Sequence, residues 1–143
     1  MSRYSITRKL EIDAGHRLLG HEGKCRNVHG HRYVFEVTCS TTELDQVGRV
    51  VDFGVIKAKV GDWLDRVWDH GMLLQTGDPL IEWLRVNDAG GKVFTMKAPP
   101  TAENIARELF ETAEALLEED GVQVDRVRVH ETPNCWATWE GSR

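Results

Sequence analysis

The chain has no apolar run approaching the ~20 residues needed to cross a bilayer, so a helical membrane span is excluded. Its opening Met-Ser-Arg-Tyr-Ser lacks the apolar stretch of a signal peptide. It also lacks a surplus of positive charge: 18 Lys plus Arg stand against 23 Asp plus Glu, a net charge of -5. A nucleic-acid partner is therefore not expected, although a locally basic pocket can still hold an anionic small molecule. Disulfide stapling is not expected either. Three cysteines leave at least one unpaired, and no Cys-x-x-Cys occurs. A reducing, cytoplasmic setting is the expectation. No Ser/Gly linker, repeat or low-complexity tract divides the 143 residues, so residues 1–143 read as one domain. With 41% hydrophobic and 29% charged residues, the balance is that of a folded globular chain.

Periodicity gives the elements. Residues 4–13 alternate as a strand, with Ile6, Leu10 and Ile12 on one side and Arg8 interrupting them. Gly15, Gly20 and Gly23 mark a loop, and the β-branched and aromatic run at 31–42 reads as a second strand. Asp52 is placed to cap a helix to about Trp68, its apolar positions spaced by three and four. Residues 69–100 are irregular, with a short helix possible at 80–85. Thr101 is a good N-cap for a strong helix to about Glu119, with Glu103 favoured in its first turn and Gly121 as its stop. Strands at 122–129 and 135–140 follow around a turn at Thr132-Pro-Asn134. The order β-β-α-α-β-β predicts an α+β fold: a four-stranded antiparallel sheet with two helices on one face. Its two open edges predict a homo-oligomer that joins sheets between subunits.

Four of the six histidines fall between positions 16 and 31, with Cys25 among them. On an extended backbone His29 and His31 point to one face, and a hairpin brings His16 beside them. Three neutral imidazoles with an open position make a catalytic zinc site; a bare His-x-His is otherwise just two surface histidines. His21 competes as a ligand, but its glycine-flanked position suggests an exposed bystander. Lys24 and Arg26 flank Cys25, and cations lower a thiol's pKa. Cys25 is then either a fourth, structural zinc ligand or a reactive thiol beside the metal. Cys39 and Cys135 lie in strand patterns and read as inert core residues. Asp69 can orient His70 and raise its basicity, against the alternative of a solvated turn. Glu131 ends the third strand, where a carboxylate facing a pocket can pair with a guanidine-like ligand edge.

Ala14-Gly-His16-Arg-Leu and Cys25-x-x-x-His29-Gly-His31, followed by Val51-Asp52-Phe53, Asp69-His70, Pro100-Thr101-Ala-Glu103-Asn104 and His130-Glu131-Thr132, resemble the 6-pyruvoyltetrahydropterin synthase / 6-carboxytetrahydropterin synthase family over nearly the whole chain. The three-residue gap between Cys25 and His29 is similar to the carboxytetrahydropterin branch of the queuosine pathway. The resemblance implies a tunnelling fold whose sheets join into a trimeric barrel, with two trimers stacked as a hexamer. It implies zinc held by His16, His29 and His31, Cys25 as catalytic thiol with Asp69 and His70 as its acid/base partners, and Glu131 as anchor for a pterin's amino-pyrimidine edge. Thr101 of a neighbouring subunit would contribute to that pocket, and Lys24 and Arg26 are candidates for a triphosphate.

The implied reaction converts 7,8-dihydroneopterin triphosphate to 6-carboxy-5,6,7,8-tetrahydropterin, acetaldehyde and triphosphate. The alternatives are a 6-pyruvoyltetrahydropterin synthase or related pterin lyase, and a non-catalytic, zinc-stabilised pterin-binding module. Gly71 departs from the polar residue common after the Asp-His pair, and residues 74–95 look longer than the compact bacterial form.

Overall fold

The computed structural model describes residues 2–142. β1 (Tyr4–His16) and β2 (His29–Thr41) are antiparallel partners over thirteen residue pairs, Tyr4 opposite Thr41 and His16 opposite His29. α1 (Phe53–Ile56) runs through a π turn (Lys57–Gly61) into α2 (Asp62–Val67). β3 (Met72–Gln75), α3 (Pro79–Asn87), β4 (Val93–Met96) and α4 (Ala102–Leu116) follow. β5 (Gln123–Thr132) and β6 (Cys135–Glu140) close the order.

The α+β class and the hairpin-paired strands agree with the sequence reading, but the sheet has six strands, in the order β4-β3-β1-β2-β5-β6. The additional pair comes from the stretch read as irregular. β3 pairs parallel to β1 through Gly15 and His16 alone, and β4 lies parallel to β3. Each is four residues long, too short to show a period, and α3 separates them, with Gly77 before it and Gly90 and Gly91 after it. The sheet is therefore mixed rather than antiparallel throughout, and the possible helix at 80–85 is the nine-residue α3.

Alternation on β1 and β2 decides what is buried. Leu10, Ile12 and Ala14 face Tyr33, Phe35, Val37 and Cys39 on the side covered by helices. α1 and α2 add Ile56, Val60, Leu64 and Trp68; α4 adds Ile105, Ala106, Leu109, Phe110 and Ala113. Each Val, Leu, Ile or Phe among them stabilises the fold by about 1.5–3 kcal/mol through burial. Side-chain oxygens cap three helices: Asp52 accepts from Gly54, Asp78 from Leu80 and Thr101 from Asn104. Cys39 is a core residue as expected, its thiol pushed up to about 12 by burial and by Asp125 and Asp120. Cys135 is not: it is exposed at the start of edge strand β6, beside a register shift between His130 and Thr132.

Arg17, next to His16, forms a two-point ion pair with Asp78, whose side chain has no exposed surface. The pair ties the end of β1 to the start of α3. Hydrogen bonding by Arg17, helped by the Leu80 amide and the Arg17 charge, holds the Asp78 carboxyl below its usual range against the effect of burial. A lowered folded-state pKa adds stability that is present above the unfolded carboxylate pKa and lost as pH falls through the folded value. Asp78→Asn should therefore lower stability by about 3 kcal/mol at pH 7. In denaturant titrations the gap to the parent chain should persist down to the ordinary carboxylate range and narrow as pH falls further below it. A gap independent of pH would show that the ion pair does not carry this stability.

Candidate active site

The β1–β2 register puts His16 opposite His29 and Ala14 opposite His31. Glycines at 15 and 30 permit this closeness. A Cβ on Gly15 would lie 3.1 Å from the His29 carbonyl oxygen, and one on Gly30 would lie 3.2 Å from that of Ala14. The three imidazole centroids are 4.6, 5.0 and 5.1 Å apart, and one nitrogen of each ring lies within 4.8 Å of the others. His16 is 1% exposed, while His29 and His31 are half-buried.

The outer nitrogens reveal what the inner ones can do. His16 Nδ1 lies 2.7 Å from the Pro100 carbonyl oxygen, and His29 Nδ1 lies 2.7 Å from that of Asn27. A carbonyl only accepts, so each Nδ1 carries a proton, and either ring in its neutral form presents a lone pair at Nε2. Those two Nε2 atoms are 3.0 Å apart. Facing lone pairs repel unless a cation joins them, and carbonyl-anchored imidazoles are the usual outer support of a metal ligand. Burial lowers the His16 pKa, and the neighbouring His29 and His31 act the same way against Pro100 and Glu131. Burial also lowers that of His31, against Glu131. Both effects favour the neutral form that binds metal, so the donor set fits zinc.

Glu131 joins the cluster from β5. Its Oε2 lies 3.5 Å from His16 Nε2 and 3.8 Å from His31 Nε2. The register shift against β6 falls at this residue and re-aims its side chain. Glu131 also lines a cleft of about 380 Å³ between the start of α4 and β6, with Ala102, Glu103 and Cys135. Tyr33 packs its ring edge-on to His16 and His31, and burial raises its phenol pKa, as does the Glu131 charge.

Asp69 and His70 form a second unit. Asp69 Oδ2 lies 2.8 Å from His70 Nδ1, which leaves His70 Nε2 free, and Asp69 Oδ1 accepts the Asp13 amide at 3.0 Å. The His70 amide donates to the Asp13 carbonyl at 2.6 Å, so the pair is fastened to β1 three residues before His16. Burial would raise the Asp69 pKa. Hydrogen bonds from the Asp13 amide and His70, with the charges of His70 and Lys92, bring it below the usual range. His70 has φ +59°, a left-handed conformation that costs a non-glycine residue energy and is concentrated at functional sites. It shares a cleft of about 460 Å³ with His31, Asp13, Gly30 and Arg32.

The remaining candidates stand apart. Cys25 sits on a one-turn 3-10 helix, half-buried, with its carbonyl bonded to the Leu18 amide at 2.9 Å. It is not in the metal-competent group, which among the described residues consists of the three histidines. Lys24 and Arg26 are exposed. Thr101 Oγ1 accepts the Asn104 amide as the α4 cap. The His21 ring accepts the Gly23 amide within its own turn. Two features had no side-chain signal to find them. One is the Pro100 carbonyl, a backbone group. The other is Lys92, whose Nζ donates to the Asp69 carbonyl at 2.6 Å from 23 residues away.

A family model described as 6-pyruvoyl tetrahydropterin synthase matches residues 5–142. The 6-carboxy-5,6,7,8-tetrahydropterin synthase of Rickettsia bellii is 44% identical over 131 residues, covering 91% of this chain and 95% of the relative. Among solved structures, 6-pyruvoyl tetrahydropterin synthase of Caenorhabditis elegans aligns with a TM-score of 0.73 at 27% identity, covering 99% and 98% of the two chains. An uncharacterized protein from Wolinella succinogenes shares the fold with a TM-score of 0.85 at 24% identity, covering 99% and 100%.

The geometry predicts one divalent cation per chain. In a zinc titration against a chromophoric chelator, His16→Ala should weaken binding by more than about 100-fold, beyond the usual loss of an outer support. His21→Ala should leave it within about 2-fold, because its ring is committed to a local turn. Equal losses in the two variants would remove the triad as the site.

Proposed function

The chain belongs to the 6-pyruvoyl tetrahydropterin synthase family and is a pterin synthase with the tunnelling fold; we propose that it is the zinc-dependent 6-carboxy-5,6,7,8-tetrahydropterin synthase of queuosine biosynthesis. The substrate is 7,8-dihydroneopterin triphosphate. With one water it yields 6-carboxy-5,6,7,8-tetrahydropterin, acetaldehyde and triphosphate. The observation that carries the reading is three imidazoles with one nitrogen of each within 4.8 Å of the others and a carboxylate 3.5 Å away, in a chain 44% identical to an enzyme of that name.

His16, His29 and His31 would hold zinc, which supplies Lewis-acid stabilisation of developing negative charge on substrate oxygens. Glu131, in its cleft beside the triad, accepts hydrogen bonds from the amino-pyrimidine edge of the pterin and so orients it. Asp69 keeps the His70 proton on Nδ1, leaving Nε2 to take a proton from the substrate side chain. Cys25, flanked by Lys24 and Arg26, moves a proton as the second acid/base group. Lys24 and Arg26 attract the triphosphate electrostatically, and Thr101 of a neighbouring subunit borders the pterin pocket. Edge strands β4 and β6 join subunits into a trimer or a dimer of trimers.

Zinc-loaded protein should convert 7,8-dihydroneopterin triphosphate to carboxytetrahydropterin and acetaldehyde, identified by mass spectrometry. Pyruvoyltetrahydropterin, or no conversion, would contradict the assignment. Cys25→Ala should retain zinc at one per chain while turnover falls by about 10²- to 10⁴-fold. Loss of zinc and fold in that variant would make Cys25 a structural ligand and the chain a binding module.

A further inference from the structure

We propose that Asn104 is a positioning residue for the metal centre, acting on His16 through the Pro99–Pro100 segment; this rests on the metal reading above. His16 is the most buried ligand, and its one outer contact is Nδ1–H donating to the Pro100 carbonyl at 2.7 Å. The direction of that carbonyl therefore decides where His16 Nε2 points.

Pro100 has no N–H of its own to tether it. Its carbonyl belongs to the same peptide plane as the Thr101 N–H, and that N–H donates to the Pro99 carbonyl at 2.8 Å. The plane is thus gripped at both ends, by Pro99 through its hydrogen and by His16 through its oxygen. The Pro99–Thr101 contact spans only two residues, the tight γ-turn type, which is bent and weak by itself. Asn104 supplies the reinforcement, with Nδ2 donating to the same Pro99 oxygen at 2.9 Å. Asn104 sits in the first turn of α4, where its backbone N–H is capped by Thr101 Oγ1 at 3.2 Å. The clamp is therefore fastened to a fifteen-residue helix whose inner face is core.

The residue type is informative. At a helix N-terminus, Asp would be favoured by the macrodipole. Asp cannot donate to a carbonyl, whereas Asn can.

The substitution Asn104→Asp separates clamp from fold, because it keeps size and suits the helix end while removing the donor. Zinc affinity of the full chain, by chelator competition, should fall roughly 10- to 100-fold, the range seen when a ligand's outer support is lost. The metal-free melting temperature should stay within a few degrees of the parent. Asn104→Ala should show the same loss. Glu111→Gln, exposed on the outer face of the same helix, should leave affinity within about 2-fold. Unchanged affinity in Asn104→Asp would overturn the proposal and leave the metal site standing, as would an equal loss in Glu111→Gln. A parent chain that binds no zinc would overturn the metal reading and this inference with it.

Discussion

The site depends on one constraint, the register of β1 against β2. Side chains alternate with period two, so a slip of one residue would turn His29 and His31 away from His16 and expose Tyr33, Phe35 and Val37 together. The core therefore holds the metal ligands in place: leaving the register would expose buried apolar side chains along most of the hairpin. The glycines at 15 and 30 leave room where the strands and Met72 crowd. The close approach of the two Nε2 atoms is the residual cost of this arrangement, and a cation held there would offset it.

Around that register the neighbouring elements converge on the same few atoms of β1. The Pro99–Pro100 turn reaches His16 Nδ1, and the Asp69-His70 corner bonds to both backbone groups of Asp13. Arg17, one residue beyond His16, holds the start of α3 through Asp78. β3 meets β1 only at Gly15 and His16, so the parallel extension also begins at the site. Glu131 arrives from the far side of β2 by way of β5. Disturbance of α4 or of residues 72–96 therefore reaches the ligands through hydrogen bonds rather than through the core.

Much of this was legible in the sequence because it follows from local periodicity. His29-Gly30-His31 declares two side chains on one face, Asp52 and Thr101 declare caps, and the stripe from Ile105 to Leu117 declares a buried helix face. The resemblance implies roles that spacing cannot give, such as the one proposed for Cys25. What was hidden has physical reasons. β3 and β4 are four residues each and owe their existence to pairing with a distant strand end, which leaves no pattern in their own residues. Cys135 looks like a core residue by its neighbours, yet it begins an edge strand after a register shift and is exposed. The acceptors that orient His16 and His29 are main-chain carbonyls, which any residue carries, so no sequence motif announces them.

The central claim is that three imidazoles alone, without the nearby thiol, form the protein part of one metal centre. X-ray absorption at the zinc edge of the loaded chain tests it directly. Three nitrogen scatterers at about 2.0–2.1 Å, completed by oxygen, are the expected result. A sulfur scatterer at about 2.3 Å would contradict it, placing Cys25 on the metal and making the centre structural.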